Sequence, residues 1–179
     1  MTTDTNTAAN LSRLNLKGFK SVKWMSEETI CFTATVILDG KVIGEASNEG
    51  RGGSTFTHFV SPEAKAIAEA FAKSISPADV KGWEFLSDKG FDFDCLVDIL
   101  VERRDAADHI KKTVASIRRK AAKECMIINA DMSKGQYKSF AKAVKSGAPI
   151  AACAAKAKEM GYTIVSEMSD EAIAAHFAA

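Results

Sequence analysis

The sequence predicts an α+β fold: an antiparallel sheet with N-terminal and C-terminal hairpins, packed by a long central helix and shorter helices. Three observations carry that prediction. Strand-like runs gather before residue 60 and helical periodicity dominates after it, which argues against alternating βαβ units and a parallel sheet. Two hairpin patterns, at 28–48 and 124–140, bracket the helical part. Between them an apolar stripe at helical spacing runs from Leu96 through Leu100, Ala107, Ile110, Val114 and Ile117 to Ala121. At 179 residues the chain suits one domain over 11–179, with 11–87 and 92–179 as its candidate lobes.

Taken in order, "MTTDTNTAAN" at 1–10 is small and polar, lacks the basic and apolar regions of a secretory signal, and reads as a disordered tail. Residues 11–25 alternate imperfectly and read as an edge strand whose Lys17, Lys20 and Lys23 discourage further pairing. Next, "ETICFTATVILDGKVIGEASN" is a hairpin turning at Asp39-Gly40. A two-residue turn pairs Leu38 with Lys41, Ala34 with Glu45 and Phe32 with Ser47, which sets apolar against polar residues. A three-residue loop over 38–40, with Gly40 as a left-handed bulge, pairs Val36 with Val42, Ala34 with Gly44 and Phe32 with Ala46. That register gathers the apolar residues on one face and leaves Thr33, Thr35 and Glu45 on the other, so it is the expected one.

A strand follows at 55–60, and Ser61-Pro62-Glu63 then supplies a helix cap, a first-turn proline and an acid at the positive end of the dipole. Ala64, Ile67, Ala68, Phe71 and Ile75 form the apolar stripe of that helix. Ser76-Pro77 repeats the start signal for a short turn, and "KGWEFLSDKG" reads as connecting structure. The long helix is expected from about Asp92–Asp94 to residue 121, then a hairpin from "ECMIINADM", "SKG" and "QYKSF". Pro149 opens an alanine-rich helix ended by Gly161, "YTIVSEM" reads as a strand, and Ser169 caps a terminal helix.

Cys31, Cys95, Cys125 and Cys153 lie far apart among apolar or small neighbours and show no C-x-x-C pairing, so they read as buried free thiols rather than zinc ligands. No apolar run approaches the ~20 residues of a membrane span. With no secretory signal either, the expected compartment is the cytoplasm. Net charge is +1 but unevenly spread. Residues 1–98 hold 10 Lys and Arg against 14 Asp and Glu, whereas 103–145 hold 12 against 4. That contrast is the strongest partner signal in the chain.

The stretch "ASNEGRGGSTFTHF" raises the possibility of an anion-binding loop. A phosphate loop converges backbone N–H groups on an anion and usually opens a helix. Here Gly50, Gly52 and Gly53 lead into a strand-like run with no G-K-[ST], so the P-loop and dinucleotide motifs fail on context. What remains is a turn bearing Arg51, with His58 beyond. Backbone geometry is the expected role, and a nucleotide or other ligand held by Arg51 and His58 is the alternative.

"SEETICFTATVILDGKVIGEASNEGRGG" resembles the N-terminal part of small uncharacterised proteins carried by bacteriophages and other mobile elements. The shared pattern is S-x-E-T, an aromatic strand, a D-G-K turn and then N-x-G-x-G-G. The resemblance covers about residues 17–60 and implies a phage-type accessory protein acting in a bacterial host cytoplasm. It carries over no catalytic residue.

In the basic segment, Lys111 with Arg118 and Lys112 with Arg119 lie seven residues apart and form two neighbouring stripes on the predicted helix. Lys134, Lys138, Lys142 and Lys145 follow, interleaved with Tyr137 and Phe140. Lys111, Lys112, Arg118, Arg119, Lys138 and Lys142 are the candidate residues for an acidic protein partner or for DNA or RNA. His58, His109 and His176 are isolated, and Asp92, Asp94 and Asp98 read as a helix cap and dipole partners rather than a metal cluster. The expectation is a non-enzymatic, cofactor-free binding protein that engages a host protein or protein–nucleic-acid complex and inhibits or modulates it.

Overall fold

The structure, a computed structural model, describes residues 11–76, 80, 82, 83, 90–139 and 150–178. The tail at 1–10, the turn expected at Pro77, and Phe140, Lys142, Lys145 and Pro149 lie outside the described residues. The chain forms two compact units, Met1–Asp105 and Ala106–Ala179. The division falls inside the long helix and not between the two lobes expected from sequence. The apolar residues of that helix serve two separate cores: Leu96, Val97, Ile99 and Val101 belong to the first, and Val114, Ile117 and Ala121 to the second.

The first unit is built on a four-stranded antiparallel sheet in the order β1-β2-β3-β4. Its strands are β1 Leu14–Ser21, β2 Phe32–Leu38, β3 Lys41–Asn48 and β4 Phe56–Phe59. A single 3₁₀ turn, Lys23–Met25, connects β1 to β2. One face of the sheet buries Leu14, Phe32, Ala34, Val36, Leu38 and Ala46 against helix residues. Full burial stabilises such side chains by about 1.5–3 kcal/mol each.

The hairpin register differs from the expected one. Asp39 (φ 50°) and Gly40 (φ 77°) are both left-handed, giving a two-residue turn with Leu38 opposite Lys41. The extra residue sits in β3 instead: pairing passes from Ile37↔Val42 to Val36↔Gly44, so Ile43 is bulged. Beyond the bulge Ala34 faces Ala46 and Phe32 faces Asn48, and the apolar faces coincide after all. Arg13 secures the turn with a two-pronged bond to Asp39 (2.7 Å each), its guanidinium 5.3 Å from the Phe71 ring centre.

Helix α1 (Pro62–Lys73) starts as its sequence predicts, with Ser61 Oγ accepting the Ala64 N–H at 3.1 Å. Its buried stripe is Ala64, Ala68, Phe71 and Ala72, continued by Ile75, whereas Ile67 faces solvent and is 57% exposed. Helix α2 runs Phe93–Ala121, and Asp92 accepts the Cys95 N–H at 2.7 Å as its cap. Ile110, expected on the buried stripe, is 40% exposed.

The second unit joins the end of α2 to a three-stranded antiparallel sheet in the order β6-β5-β7. These strands are β5 Met126–Ile128, β6 Lys138–Ser139 and β7 Thr163–Ile164, and helices α3 (Ile150–Glu159) and α4 (Asp170–Phe177) complete it. The strand expected from "YTIVSEM" shortens to β7 and a 3₁₀ turn, Val165–Glu167. Gly161 (φ 80°) follows the end of α3, and Ser169 caps α4 by accepting the Ala172 N–H at 3.2 Å.

Candidate functional site

The glycine-rich loop is a structural joint. The buried Asn48 organises it: Asn48 Oδ1 accepts from Gly50 N–H and from Thr29 Oγ1, both at 2.8 Å. Asn48 Nδ2 donates to the Gly53 carbonyl (2.9 Å) and to Thr55 Oγ1 (3.2 Å). The Gly50 carbonyl receives three N–H groups, from Glu27, Glu28 and Thr29, at 2.8–3.4 Å. Gly52 N–H donates to Thr29 Oγ1 at 3.3 Å. The Gly50 and Gly52 N–H groups that a phosphate would need are therefore already satisfied. The surroundings also repel an anion, since the Glu28 carboxylate occupies the space where a Gly52 side chain would point. An adjoining cavity of about 390 Å³ carries Glu27, Glu28, Asp98 and Glu102. Arg51 is exposed and makes no bond among the described residues.

His58 is not part of that loop site. It lies across from Glu45 on the open face of the sheet. There it lines a shallow groove of about 330 Å³ with Lys20, Thr33, Thr35 and Ser47. The register shift between Lys17 and Lys20, with Gly18 at φ 64°, adds local twist at that edge.

At the start of α2, Thr55 Oγ1 donates to Asp98 and Thr57 Oγ1 donates to Asp94 at 2.6 Å, tying β4 to the helix. Burial is the main reason that both carboxyls sit above their ordinary range, and neighbouring acids add to it. Burial, helped by Asp92, pushes the Cys95 thiol up to about 12, which leaves it a poor nucleophile at neutral pH. All four cysteines are free thiols. Among the described residues no three His, Cys, Asp or Glu come together to hold a metal ion. Among the same residues no helix is long and apolar enough to cross a membrane.

The second unit carries the basic residues, and it separates the two predicted stripes. Lys112 and Arg119 are exposed, with Arg119 Nε donating to its own helix at the Ala115 carbonyl (3.2 Å). Arg118 turns instead to the 3₁₀ turn and α4. It donates to the Ser166 carbonyl (3.2 Å), the Met168 carbonyl (2.7 Å) and the Asp170 carboxylate (2.6 and 3.0 Å). That makes Arg118 an internal tie. Lys111 stays exposed at the rim of an apolar groove of about 440 Å³ lined by Ile110, Val114 and Ala174.

Lys120, Lys123, Lys134 and Lys138 are exposed as well, and Lys120 Nζ lies 5.9 Å from the centre of the Tyr137 ring. Lys142 lies outside the described residues. Sequence reading missed the part played by His176. Its Nε2 is 2.8 Å from the Gln136 carbonyl, and its own carbonyl accepts the Gly135 N–H at 2.6 Å. No sequence signal links positions forty residues apart in this way. Comparison with family models, with curated proteins and with solved structures returns no match.

Proposed function

We propose that this protein is a binding protein, without catalysis of its own, that docks an anionic host macromolecule through the exposed basic residues of its second unit. One observation carries the reading: residues 106–179 hold 12 Lys and Arg against 7 Asp and Glu, and much of that positive charge is exposed without an ion pair among the described residues. Asp170 pairs with Arg118 and Glu167 with Lys158, so two of the unit's acids serve internal ties. Lys111, Lys112, Arg119, Lys120, Lys123, Lys134 and Lys138 make no ion pair among the described residues. Exposed cations that outnumber the acids around them raise the local potential and steer a polyanion toward the surface. The phage-type resemblance of residues 17–60 supports a partner in the host, where an accessory protein would inhibit or modulate a complex.

The test is a charge reversal confined to side chains that tie no two elements together, Lys112→Glu, Arg119→Glu and Lys123→Glu together. Tagged full-length chain is used to capture material from bacterial lysate at low and high salt. The expected result is salt-sensitive capture by the parent and at least tenfold less by the variant, with unchanged circular dichroism. Equal capture by both proteins refutes the reading.

A further inference from the structure

Tyr137 stands out within the basic surface because it is aromatic, 37% exposed and held on a braced turn. The turn that carries it is fixed from three sides. Gly135 (φ 80°) donates its N–H to the His176 carbonyl at 2.6 Å, and Gln136 N–H donates to the Ser133 carbonyl at 3.1 Å. His176 Nε2 engages the Gln136 carbonyl at 2.8 Å, which requires the proton on that nitrogen. The ring itself meets Phe177 nearly edge-on, with centroids 6.3 Å apart and planes at 63°. Little rotational freedom is left for a ligand to freeze out.

Around this ring the chemistry has two components. Lys120 approaches it, and Lys134 and Lys138 are exposed on the same turn and strand. Beside it lies a shallow hollow of about 290 Å³ lined by Met132, Gly135, Gln136, Tyr137 and Lys138. Gly135 carries no side chain to obstruct the hollow, and the Gln136 carbonyl that lines it is occupied by His176.

We infer that Tyr137 is a stacking platform for a base of single-stranded nucleic acid, with Lys120, Lys134 and Lys138 neutralising the flanking phosphates. This rests on the proposed binding of an anionic macromolecule and specifies its class. An acidic protein would be attracted by the same lysines and could also pack on the ring, so it is the outcome that the test separates; an exposed ring set among three lysines fits an unpaired strand better, because its bases offer faces to stack on and its phosphates recur beside them. Duplex DNA hides its base faces in the stack and offers the ring nothing to cover. An unpaired base presents a π-face to any exposed aromatic, whatever its identity.

The experiment measures equilibrium binding of the full-length chain to three probes of equal length: oligothymidylate, the same backbone made abasic, and a duplex. Each is titrated against the parent, Tyr137→Ala, Tyr137→Leu and Tyr137→Phe. Stacking at ~1–3 kcal/mol per base corresponds to about 5- to 140-fold tighter binding of oligothymidylate than of the abasic strand. That preference is lost in Tyr137→Ala and in the apolar but non-aromatic Tyr137→Leu, and kept in the ring-preserving Tyr137→Phe. Equal affinity for the base-bearing and abasic strands, unaffected by Tyr137→Leu, overturns the stacking inference and leaves the basic-surface reading standing. No binding of any probe at low salt overturns the nucleic-acid assignment, and the lysate capture then decides between an acidic protein and no partner at this surface.

Discussion

Replacing Gly50 by alanine tests whether the glycine loop is a joint. The perturbation is one methyl group, and two separate costs attach to it. Gly50 has φ 84°, where an L-residue is disfavoured by ~1–2 kcal/mol. Its Cβ would stand 2.8 Å from Cys31 Cβ and would collide with the Met25 carbonyl, in a corner where Gly50 and Cys31 are both buried. Forcing an extra carbon into a packed site adds ~1–3 kcal/mol. The expected loss is therefore ~2–5 kcal/mol. Two control positions separate the terms. Gly40 has φ 77° but open space around its missing side chain, so Gly40→Ala should cost only the ~1–2 kcal/mol of backbone strain. Gly53 has neither a positive φ nor a neighbour within 4 Å, so Gly53→Ala should be neutral or slightly stabilising. Urea unfolding followed by tryptophan fluorescence is the assay, and both tryptophans, Trp24 and Trp83, belong to the first unit. If Gly50→Ala is no worse than Gly40→Ala, the close approach to Met25 and Cys31 does not constrain the loop, and the joint is refuted.

Two further predictions follow from the ties on either side of α2. Asp94 and Asp98 have raised carboxyl pKa values, chiefly through burial, so the stability linked to their protons is present in acid and lost as pH rises through the folded values. The double variant Asp94→Asn, Asp98→Asn, whose amide oxygens still accept from Thr57 and Thr55, should melt above the parent at pH 7. The gap should narrow toward pH ~4, near the ordinary range of an aspartate, and a variant that melts lower at pH 7 contradicts the burial argument. In the second unit, Arg118→Met removes a charged bond to Asp170 and two bonds to carbonyls, at ~1.5–3 kcal/mol for the charged bond alone. Arg119→Met should change stability by less than ~0.5 kcal/mol, as surface substitutions do. Hydrogen exchange in α4 should accelerate for the first variant and stay unchanged for the second, and the reverse order would show that Arg118 is not the tie.

How much of this was legible beforehand depends on how local each determinant is. The α+β class, the starts of α1 and α4 and the Asp92 cap were readable because a cap and its helix lie within four residues. Hairpin register was half readable. The pattern shows that one residue must be extra relative to a simple two-residue turn, yet it does not say in which strand: the expected loop takes it from β2 at Leu38 and sets Ala34 opposite Gly44, whereas β3 carries it at Ile43 and Ala34 faces Ala46. A bulge at the turn and a bulge at Ile43 both return apolar residues to one face, and the structure adopts the second. Ile67 and Ile110 were misread for a related reason: a stripe records where apolar residues fall, and the width of the covering element decides how many are buried.

The candidate residues divide along the same line. Lys111 and Arg118 share a stripe by spacing, but only Arg118 finds the Ser166 and Met168 carbonyls and Asp170 within reach. A basic count over 103–145 cannot distinguish a cation that holds its own fold together from one left to meet a partner. Glycine clusters carry the same ambiguity, because positive φ serves anion nests and tight joints alike. Asn48, Thr29 and Glu28 resolve it, the first two by accepting the Gly50 and Gly52 N–H groups that an anion would require and the third by placing a carboxylate where the anion would sit. Arg51 is then an exposed cation with no bond among the described residues, so its removal should leave both stability and binding by the second unit unchanged. On the proposed reading, function follows the exposed cations that make no ion pair among the described residues, and Lys120, Lys134 and Lys138 are the ones among them that accompany the braced Tyr137.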